Sequence, residues 1–404
     1  MRVEEVAFVV AQRGLQGQRG YGRCPKCEKW HFPADTALGL SKNARASPYV
    51  QELSALLTSK MPCEQAVRVA ERMGLDLSRC FLHREAHRQG LKAQAARAEH
   101  LAQIQTWEGI QQVATQTPSR VAEPFTLILE IDAWNIRERD SWGLTEELRA
   151  QGQAVSRWHW VYVGTVFRLD HRGQTSTGRA LISRRAYALT CLGIEELSSQ
   201  LHREAVACGL GEAKEVLIIA DGALWIWNIA KDRFPMARQR LDLYHAEEHL
   251  WAVAHELHGK GTPEARAWVE PLLKRLRHDE SPAVIASLKE IQPTLSEGLQ
   301  KKVQTEMDYF AHNENRLKYR EIVLARQAVE EGKATAAQEA KAREPLGSGA
   351  IESTCRQYQC RFKRTGQFWT QTGDEALMCL ETFWRNDRWH LLYPHSKPTS
   401  PALN

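Results

Sequence analysis

The sequence predicts an α/β protein: a mixed β-sheet followed by a long all-helical insertion and preceded by a helical region. Three observations support this class. Strand-like apolar segments alternate with helical segments over residues 124–245. Helical periodicity then continues almost without a break over residues 246–344. Short amphipathic helices are predicted ahead of the first strand, within residues 46–120.

The composition is that of a globular protein with two or three domains. The chain has 404 residues, of which 43% are hydrophobic and 25% are charged. A net charge of +5 is only weak evidence for a polyanionic partner, so local clusters of charge must decide that point. The sequence has neither an 18-residue apolar stretch nor a secretory signal, and we therefore expect a cytoplasmic protein without a membrane partner.

Residues 1–45 have little periodicity beyond one possible strand, and we interpret them as a loop-rich, partial zinc-ribbon-like module. Their main feature is a CPKC motif, which can aim the thiolates of Cys24 and Cys27 at one Zn²⁺. One such pair supplies only half of a tetrahedral site. The spacing does not choose among the candidates for the other ligands, which are His31, Cys80, His83 and His87. The alternative is a pair of ordinary reduced thiols.

Residues 46–120 predict a helix-turn-helix followed by a helical linker over residues 91–120. Gly74 marks the turn, and Ser78 is a suitable N-cap for the second helix of the motif. That helix would contact DNA phosphates and base edges through its basic side chains. These are Arg79, His83, Arg84 and Arg88. The alternative is a helical hairpin with a solvated basic face.

Residues 124–245 predict the order strand, strand, strand, helix, strand, helix, strand, which is that of a ribonuclease-H-like core. Asp132 lies near the end of the first strand, and Asp221 ends the fourth, VLIIAD. These strands are neighbours in such a core, so both carboxylates would project into one cleft. Paired carboxylates suit Mg²⁺. Either aspartate alone is more simply a turn residue.

Residues 345–395 predict the C-terminal part of the core, with Glu352 in the first turn of a helix after a GSG turn. Helical spacing places an apolar face beside a charged one. The apolar face has Ile351, Cys355, Tyr358 and Phe362, and the charged face has Glu352, Arg356, Gln359 and Lys363. We expect Arg356, Lys363 and Arg364 to bind DNA phosphates and Glu352 to bind metal. The alternative is a carboxylate favouring the helix dipole, with solvated cations behind it.

A smaller motif, LDLYHAEEHLW, places Asp242 and His245 three residues apart at the end of the last predicted strand. The two side chains could hydrogen-bond to each other or lie beside the metal cleft.

These motifs, IDAW, IIADGALWIW, LDLYHAEEHLW and GSGAIES, together resemble the DDE transposases of bacterial insertion sequences, specifically the Kra-type family related to the Mutator-like group. The resemblance spans roughly residues 20–390. It implies a ribonuclease-H-like core interrupted by a helical insertion, and cleavage and strand transfer of DNA that depend on Mg²⁺, for which Mn²⁺ would substitute. Asp132, Asp221 and Glu352 would be the catalytic, metal-binding triad, and Asp242 and His245 would support it.

The resemblance also implies partners and a location. The partner would be double-stranded DNA, both the terminal inverted repeats of the element and the target. Because two ends must be held together, we expect a homodimer or larger assembly. The location would be the bacterial cytoplasm, with association to the nucleoid when the protein is on DNA.

Two other functions remain open. Family members often begin with two CxxC pairs, whereas this sequence has one, which favours a decayed or domesticated transposase that acts only as a DNA-binding protein. The three intact acidic residues favour the enzyme instead. The other alternative is a structure-specific nuclease on the same core, which would hydrolyse branched DNA without joining ends.

Overall fold

The computed structural model describes residues 2–10, 13–33, 46–115, 124–139, 141, 143–177 and 180–394. The first described segments form a small antiparallel sheet. Its strands are β1 (Arg2–Val10), β2 (Arg13–Arg23) and β3 (Trp30–His31). The prediction of a loop-rich module is therefore wrong for these residues. β2 is rich in glycine and polar residues, so it lacks the apolar alternation that marks a strand. Residues 34–45 lie outside the described part.

Four helices follow, namely α1 (Pro48–Lys60), α2 (Cys63–Arg72), α3 (Arg79–Gln103) and α4 (Trp107–Thr115). Gly74 makes the turn after α2 with φ of 78°. Ser78 caps α3 as predicted, because its Oγ accepts a hydrogen bond of 3.1 Å from the backbone N–H of Phe81. Val50, Ala70 and Leu82 belong to a small core that these helices share.

Helix α3 continues far beyond the predicted turn-and-helix unit and packs against the rest of the molecule. Its Gly90 meets helix α15 (Gln371–Arg385): a Cβ at Gly90 would lie 2.4 Å from the Cβ of Ala376. Residues 91–103 are helical as expected, but they are part of a packed helix and not a linker. Small residues in both helices permit this approach.

The central sheet has five strands. In chain order the strands are β4 (Thr126–Glu138), β5 (Arg157–Arg168), β8 (Ala186–Thr190), β9 (Glu215–Ala220) and β10 (Arg238–Leu241). Across the sheet the order is β10, β9, β4, β5, β8, with β5 antiparallel to both of its neighbours and the β4–β9 and β9–β10 pairs parallel. The predicted α/β class with a mixed sheet is confirmed, and the strands of the two aspartates are neighbours.

Shorter elements complete this region. A hairpin, β6 (Arg172–Gln174) and β7 (Ala180–Ile182), precedes β8, so the third predicted strand is two separate strands. The helices here are α5 (Thr145–Ala150), α6 (Ile194–Ala207) and α7 (Leu224–Arg233). The last predicted strand ends early, at Leu241, because Asp242 is the N-cap of the next helix.

The insertion is helical throughout the described chain, as predicted. Its helices are α8 (Leu243–His258), α9 (Pro263–Arg277), α10 (Ser281–Ile291), α11 (Glu297–His312), α12 (Arg320–Glu330) and α13 (Ala336–Ala342). It shares a core with the sheet, in which Ile218 and Leu241 join Leu250 and Phe310. The chain continues as α14 (Gly349–Phe362), α15 and α16 (Trp389–Leu392).

Helices α14 and α15 cover the face of the sheet that carries Trp134 and Val161. In the described ranges, no helix combines the length and apolar character needed to cross a membrane.

Candidate active site

Asp132 and Asp221 lie side by side on neighbouring parallel strands. The register of β4 and β9 pairs Glu130 with Ile219, and continuing it by two residues brings Asp132 opposite Asp221. Neighbouring strands are about 4.8 Å apart. Burial, and then the negative charge of Asp221, raise the pKa of Asp132. The two carboxylates therefore interact.

The prediction that Asp132 lies near the end of its strand is wrong. β4 continues from Asp132 to Glu138, paired with β5 throughout. Its pairing with β9, however, covers only residues 126–130. Beside the half-buried Asp132, the β9 side of β4 is therefore unpaired because the neighbouring strand ends, and not because β4 itself ends.

A residue of the helical insertion, Tyr309 on α11, fixes the backbone at Asp221. Its hydroxyl donates a hydrogen bond of 2.9 Å to the carbonyl oxygen of Asp221. Gly222 has φ of 105°, and a Cβ there would lie 3.0 Å from the ring of Tyr309. Burial and the carboxylates of Asp221 and Asp242 raise the pKa of Tyr309, so its hydroxyl remains a donor. Nothing in the sequence pattern indicated this contact.

Asp242 joins three chain segments through its hydrogen bonds. Its side chain is fully buried. One oxygen accepts from the backbone N–H groups of Tyr244 (2.7 Å) and His245 (3.3 Å). The other accepts from the backbone N–H (2.6 Å) and hydroxyl (2.5 Å) of Ser348. Four donors fill the acceptor positions of this carboxylate, so Asp242 holds the starts of α8 and α14 and is not free to bind metal.

Glu352 lies in the first turn of α14, where Asp242 fixes the helix start. One potential ligand atom from each of Asp242, His245 and Glu352 lies within 4.8 Å of the others. Since Asp242 is already occupied, His245 and Glu352 are the two groups available there. Glu352 is half-exposed, and its nearest cationic group, on Arg356, is 3.9 Å away.

Cys355 links Glu352 to the strand aspartates. Its thiol donates to Oδ2 of Asp132 at 3.5 Å. Burial and then the negative charges of Asp132 and Glu352 raise its pKa. The interaction with His245 lowers the pKa of Asp132 in part. We call the space bordered by Asp132, Asp221, His245 and Glu352 the acid cleft. Among the described residues, no group of three or more possible metal ligands that lie within 4.8 Å of one another includes Asp132 or Asp221.

Glu130, two residues before Asp132, holds the other side of the helix start. This carboxylate is buried and accepts a hydrogen bond of 2.8 Å from the backbone N–H of Ile351. Burial raises the pKa of Glu130 to about 8. Its role was not predicted, because in sequence it is only one polar residue within an apolar strand.

The predicted two faces of α14 are confirmed. Its apolar residues, Ile351, Cys355, Tyr358 and Phe362, are all buried. Arg356, Lys363 and Arg364 are exposed. Arg361, which the sequence places in the same basic segment, is instead buried and donates to the carbonyl oxygens of Thr58 and Ser59 at the end of α1.

Two exposed tryptophans on β5, Trp158 and Trp160, extend this basic surface. The guanidinium of Arg137 lies 5.5 Å from the ring centroid of Trp158, and the ammonium of Lys363 lies 5.8 Å from it. From the sequence, these tryptophans were predicted only to be strand residues. Their RWHW alternation could have indicated an exposed aromatic face.

The basic residues predicted on α3 separate into two kinds. Arg79, His83 and Arg84 are exposed near the start of the helix. Arg88 instead forms an ion pair of 2.6 Å with Glu85 in the same helix.

The CPKC turn brings Cys24 and Cys27 together with His31. One atom of each lies within 4.8 Å of the others, and the Cys27 Sγ to His31 Nε2 distance is 3.2 Å. Backbone N–H groups of Cys27 and Lys26 lower the pKa of Cys24, which favours a metal-binding thiolate. Of the four residues considered as further ligands, His31 joins the pair, whereas Cys80, His83 and His87 are not in this group.

Comparison with known proteins assigns no family to this arrangement: no protein-family model matches the chain, and neither does any curated protein.

Proposed function

We propose that the protein is a DNA transposase with a ribonuclease-H-like catalytic core, which cuts DNA at the ends of an insertion sequence and joins them to target DNA in a metal-dependent reaction. The observation that carries this proposal is the acid cleft. Asp132 and Asp221 lie together where β9 ends, and Glu352 is presented on the helix that covers the same face.

The residues of the acid cleft suit a hard divalent cation. The groups that shift the pKa of Asp132 are burial, the Ala133 N–H, Asp221, Cys355 and His245, and none is a lysine or arginine. Asp132, Asp221 and Glu352 would hold Mg²⁺ or Mn²⁺. When bound, such an ion would polarise the phosphodiester and activate a water or a 3′-hydroxyl.

The protein's own part in the reaction is to hold these carboxylates in place. Glu130 and Asp242 fix the first turn of α14 from two sides, which sets the position of Glu352. Tyr309 holds the backbone of Asp221. Positioning of this kind provides much of the rate enhancement in phosphoryl transfer.

Surfaces near the acid cleft and on α3 have the chemistry of DNA contacts. Arg356, Lys363 and Arg364 would neutralise phosphates beside Glu352. Trp158 and Trp160 offer faces on which unpaired bases stack. Arg79, His83 and Arg84 would contact the terminal repeats from the start of α3.

The CPKC turn would bind Zn²⁺ through Cys24, Cys27 and His31. A sulfur, sulfur and nitrogen set fits zinc, and these residues would supply three of its four ligands.

Cleavage and strand transfer by the full-length protein test the proposal. The substrate is DNA carrying the sequences that flank the gene on both sides, in which we expect inverted repeats, with Mg²⁺ or Mn²⁺ present. We expect the wild type to cut and join these ends, and Glu352→Gln to lower the cleavage rate by about a thousandfold or more, since it removes one metal ligand. Glu339→Gln, on the exposed side of α13, is the matched control and should cut normally.

Two results would reject the proposal in favour of a specific alternative. Hydrolysis of branched DNA without joining would indicate a nuclease. Binding to the repeats with no cleavage by the wild type would indicate a protein that only binds DNA.

A further inference from the structure

A second group of possible metal ligands lies at the far end of β4. Glu138 ends β4, His159 lies near the start of β5, Cys191 follows β8, and Asp374 is in the first turn of α15. One ligand atom from each of Glu138, His159 and Cys191 lies within 4.8 Å of the others. We call these four residues the buried cluster. At about 3.3 Å per residue, the six residues from Asp132 to Glu138 separate it from the acid cleft by about 20 Å.

Two carboxylate oxygens in the buried cluster have no hydrogen-bond partner. Glu138 and Asp374 are both fully buried. Oε1 of Glu138 and Oδ2 of Asp374 are each enclosed and accept no hydrogen bond. A buried carboxylate oxygen without a donor or cation is strongly unfavourable, so each of these two atoms needs a proton or a cation.

The histidine of the buried cluster presents a lone pair to this space. Its Nε2 lies 2.6 Å from the carbonyl oxygen of Cys191, which can only accept, so Nε2 carries the proton. In the neutral ring Nδ1 then carries a lone pair, and it lies 3.8 Å from Oε2 of Glu138. A histidine that binds metal through one nitrogen commonly donates the other N–H to a backbone carbonyl in this way.

One arginine pairs with a carboxylate of the buried cluster, and another pairs beside it. Glu375, the residue next to Asp374, forms an ion pair of 2.5 Å with Arg97 and accepts a hydrogen bond of 2.7 Å from the backbone N–H of Cys191. Arg157 lies 3.3 Å from Oε2 of Glu138 and is largely exposed.

The cysteine completes a mixed set of donors. Its Sγ lies 3.2 Å from Oδ1 of Asp374 and 3.2 Å from Oε2 of Glu375. A tetrahedral zinc site with bonds of about 2.0–2.3 Å has ligand-to-ligand edges of about 3.3–3.7 Å. Asp374 has this spacing to Cys191 but is not among the three residues that lie within 4.8 Å of one another, so its side chain must turn toward Glu138 and His159 to complete the site.

We propose that Glu138, His159, Cys191 and Asp374 bind one structural Zn²⁺. One sulfur, one nitrogen and two oxygens are all donors that zinc accepts, and four protein ligands leave no open position for chemistry. On binding, the Cys191 thiol releases its proton to solvent and the thiolate bonds to the metal. The ion ties the ends of β4 and β8 and the start of β5 to helix α15.

Metal analysis of the full-length protein tests this site without any DNA. The Cys24→Ser, Cys27→Ser double variant removes the other candidate zinc site and serves as the background. After incubation with Zn²⁺ and dialysis, we expect one zinc per chain. X-ray absorption should show one sulfur and three nitrogen or oxygen ligands. Replacement by Co²⁺ should give a thiolate-to-cobalt charge-transfer band and the visible bands of a tetrahedral ion.

Single changes in this background identify the ligands. Cys191→Ser and Asp374→Asn should each lose most of the zinc, and Cys191→Ser should lose the charge-transfer band. Cys208→Ser changes a thiol outside the buried cluster and should retain both. Zinc should also raise the melting temperature of the background protein by several degrees, because it binds the folded state.

A folded background protein that takes up no zinc would overturn the proposal and leave a proton shared by His159 and Glu138 as the explanation. Retention of the charge-transfer band in Cys191→Ser would also overturn it. If a ligand variant does not fold, the zinc content and the sulfur count of the background protein still decide the question.

Discussion

The acid cleft and the buried cluster lie on the same face of the same strand, yet they differ in how far they are exposed to solvent. Asp132 borders a cleft that is open because β9 ends beside it, and Glu352 is half-exposed. Glu138, six residues further along β4, is fully buried where α15 begins. Similar ligands can thus serve different purposes: an open carboxylate pair can receive a phosphate group and a hydrated ion, whereas an enclosed set can only hold an ion in place.

Replacing Asp132 in the middle of β4 and Glu138 at its end, in separate variants, is the strongest test of this difference. We expect Asp132→Asn to lower the DNA cleavage rate by about a thousandfold or more by removing a metal ligand. Its free energy of unfolding should be unchanged or higher, because the repulsion from Asp221 is relieved. Glu138→Gln should cut normally per folded molecule but lose zinc. Single-turnover cleavage and urea unfolding measure the two effects.

The comparison would break if Glu138→Gln abolished cleavage while stability and zinc content stayed at the wild-type level. The buried cluster would then take part in the reaction.

Removal of the carboxylate beside the buried cluster should affect stability alone. Glu375→Ala removes the more deeply buried of the two carboxylates that pair with Arg97, which keeps Glu196 at 3.1 Å, and leaves the backbone N–H of Cys191 without its acceptor. Breaking a buried ion pair in this way costs about 3–5 kcal/mol of unfolding free energy. Urea unfolding measures the loss. Glu195→Ala, an exposed change on α6, should stay within about 0.5 kcal/mol of the wild type. A similar loss of unfolding free energy in both variants would contradict a stabilising role for the buried contacts of Glu375.

The smallest predicted effect separates two tyrosines of the insertion. Tyr309 donates to the carbonyl of Asp221 (2.9 Å), and Tyr319 donates to that of Leu241 (3.0 Å). Loss of either hydroxyl should cost about 1 kcal/mol of stability. Only Tyr309→Phe should also slow cleavage, by about fivefold to tenfold, since about 1 kcal/mol of lost positioning corresponds to that factor. Equal cleavage rates in the two variants would show that Tyr309 has no part in positioning Asp221.

Local patterns predicted local features well. Ser78 was identified as a cap, and the apolar face of α14 with Tyr358 and Phe362 was correct, because both depend on residues within one or two turns. The neighbouring positions of Asp132 and Asp221 followed from the order of the elements. Nothing local indicated that β9 ends before β4, so the position of Asp132 within its strand was predicted wrongly.

Features that depend on distant segments were missed. The buried cluster takes its ligands from four elements spread between Glu138 and Asp374, and none of the four stands in a recognisable motif. Arg361 is one of several cations in its segment, and only the docking of α1 explains its burial. Glu130 and Tyr309 likewise gain their roles from contacts across the fold.

The lack of a side chain at Gly90 fixes where two helices meet. It allows α3, a helix of 25 residues, to dock on α15 partway along its length. At 1.5 Å per residue the helix is about 37 Å long, which is the length of about eleven base pairs of duplex at 3.4 Å each. A duplex bound by Arg79 and Arg84 would therefore lie at the start of a helix that is fixed to α15 at Gly90, eleven residues and about 16 Å away. A larger side chain at Gly90 would shift α3 on α15, and with it the bound duplex relative to the core.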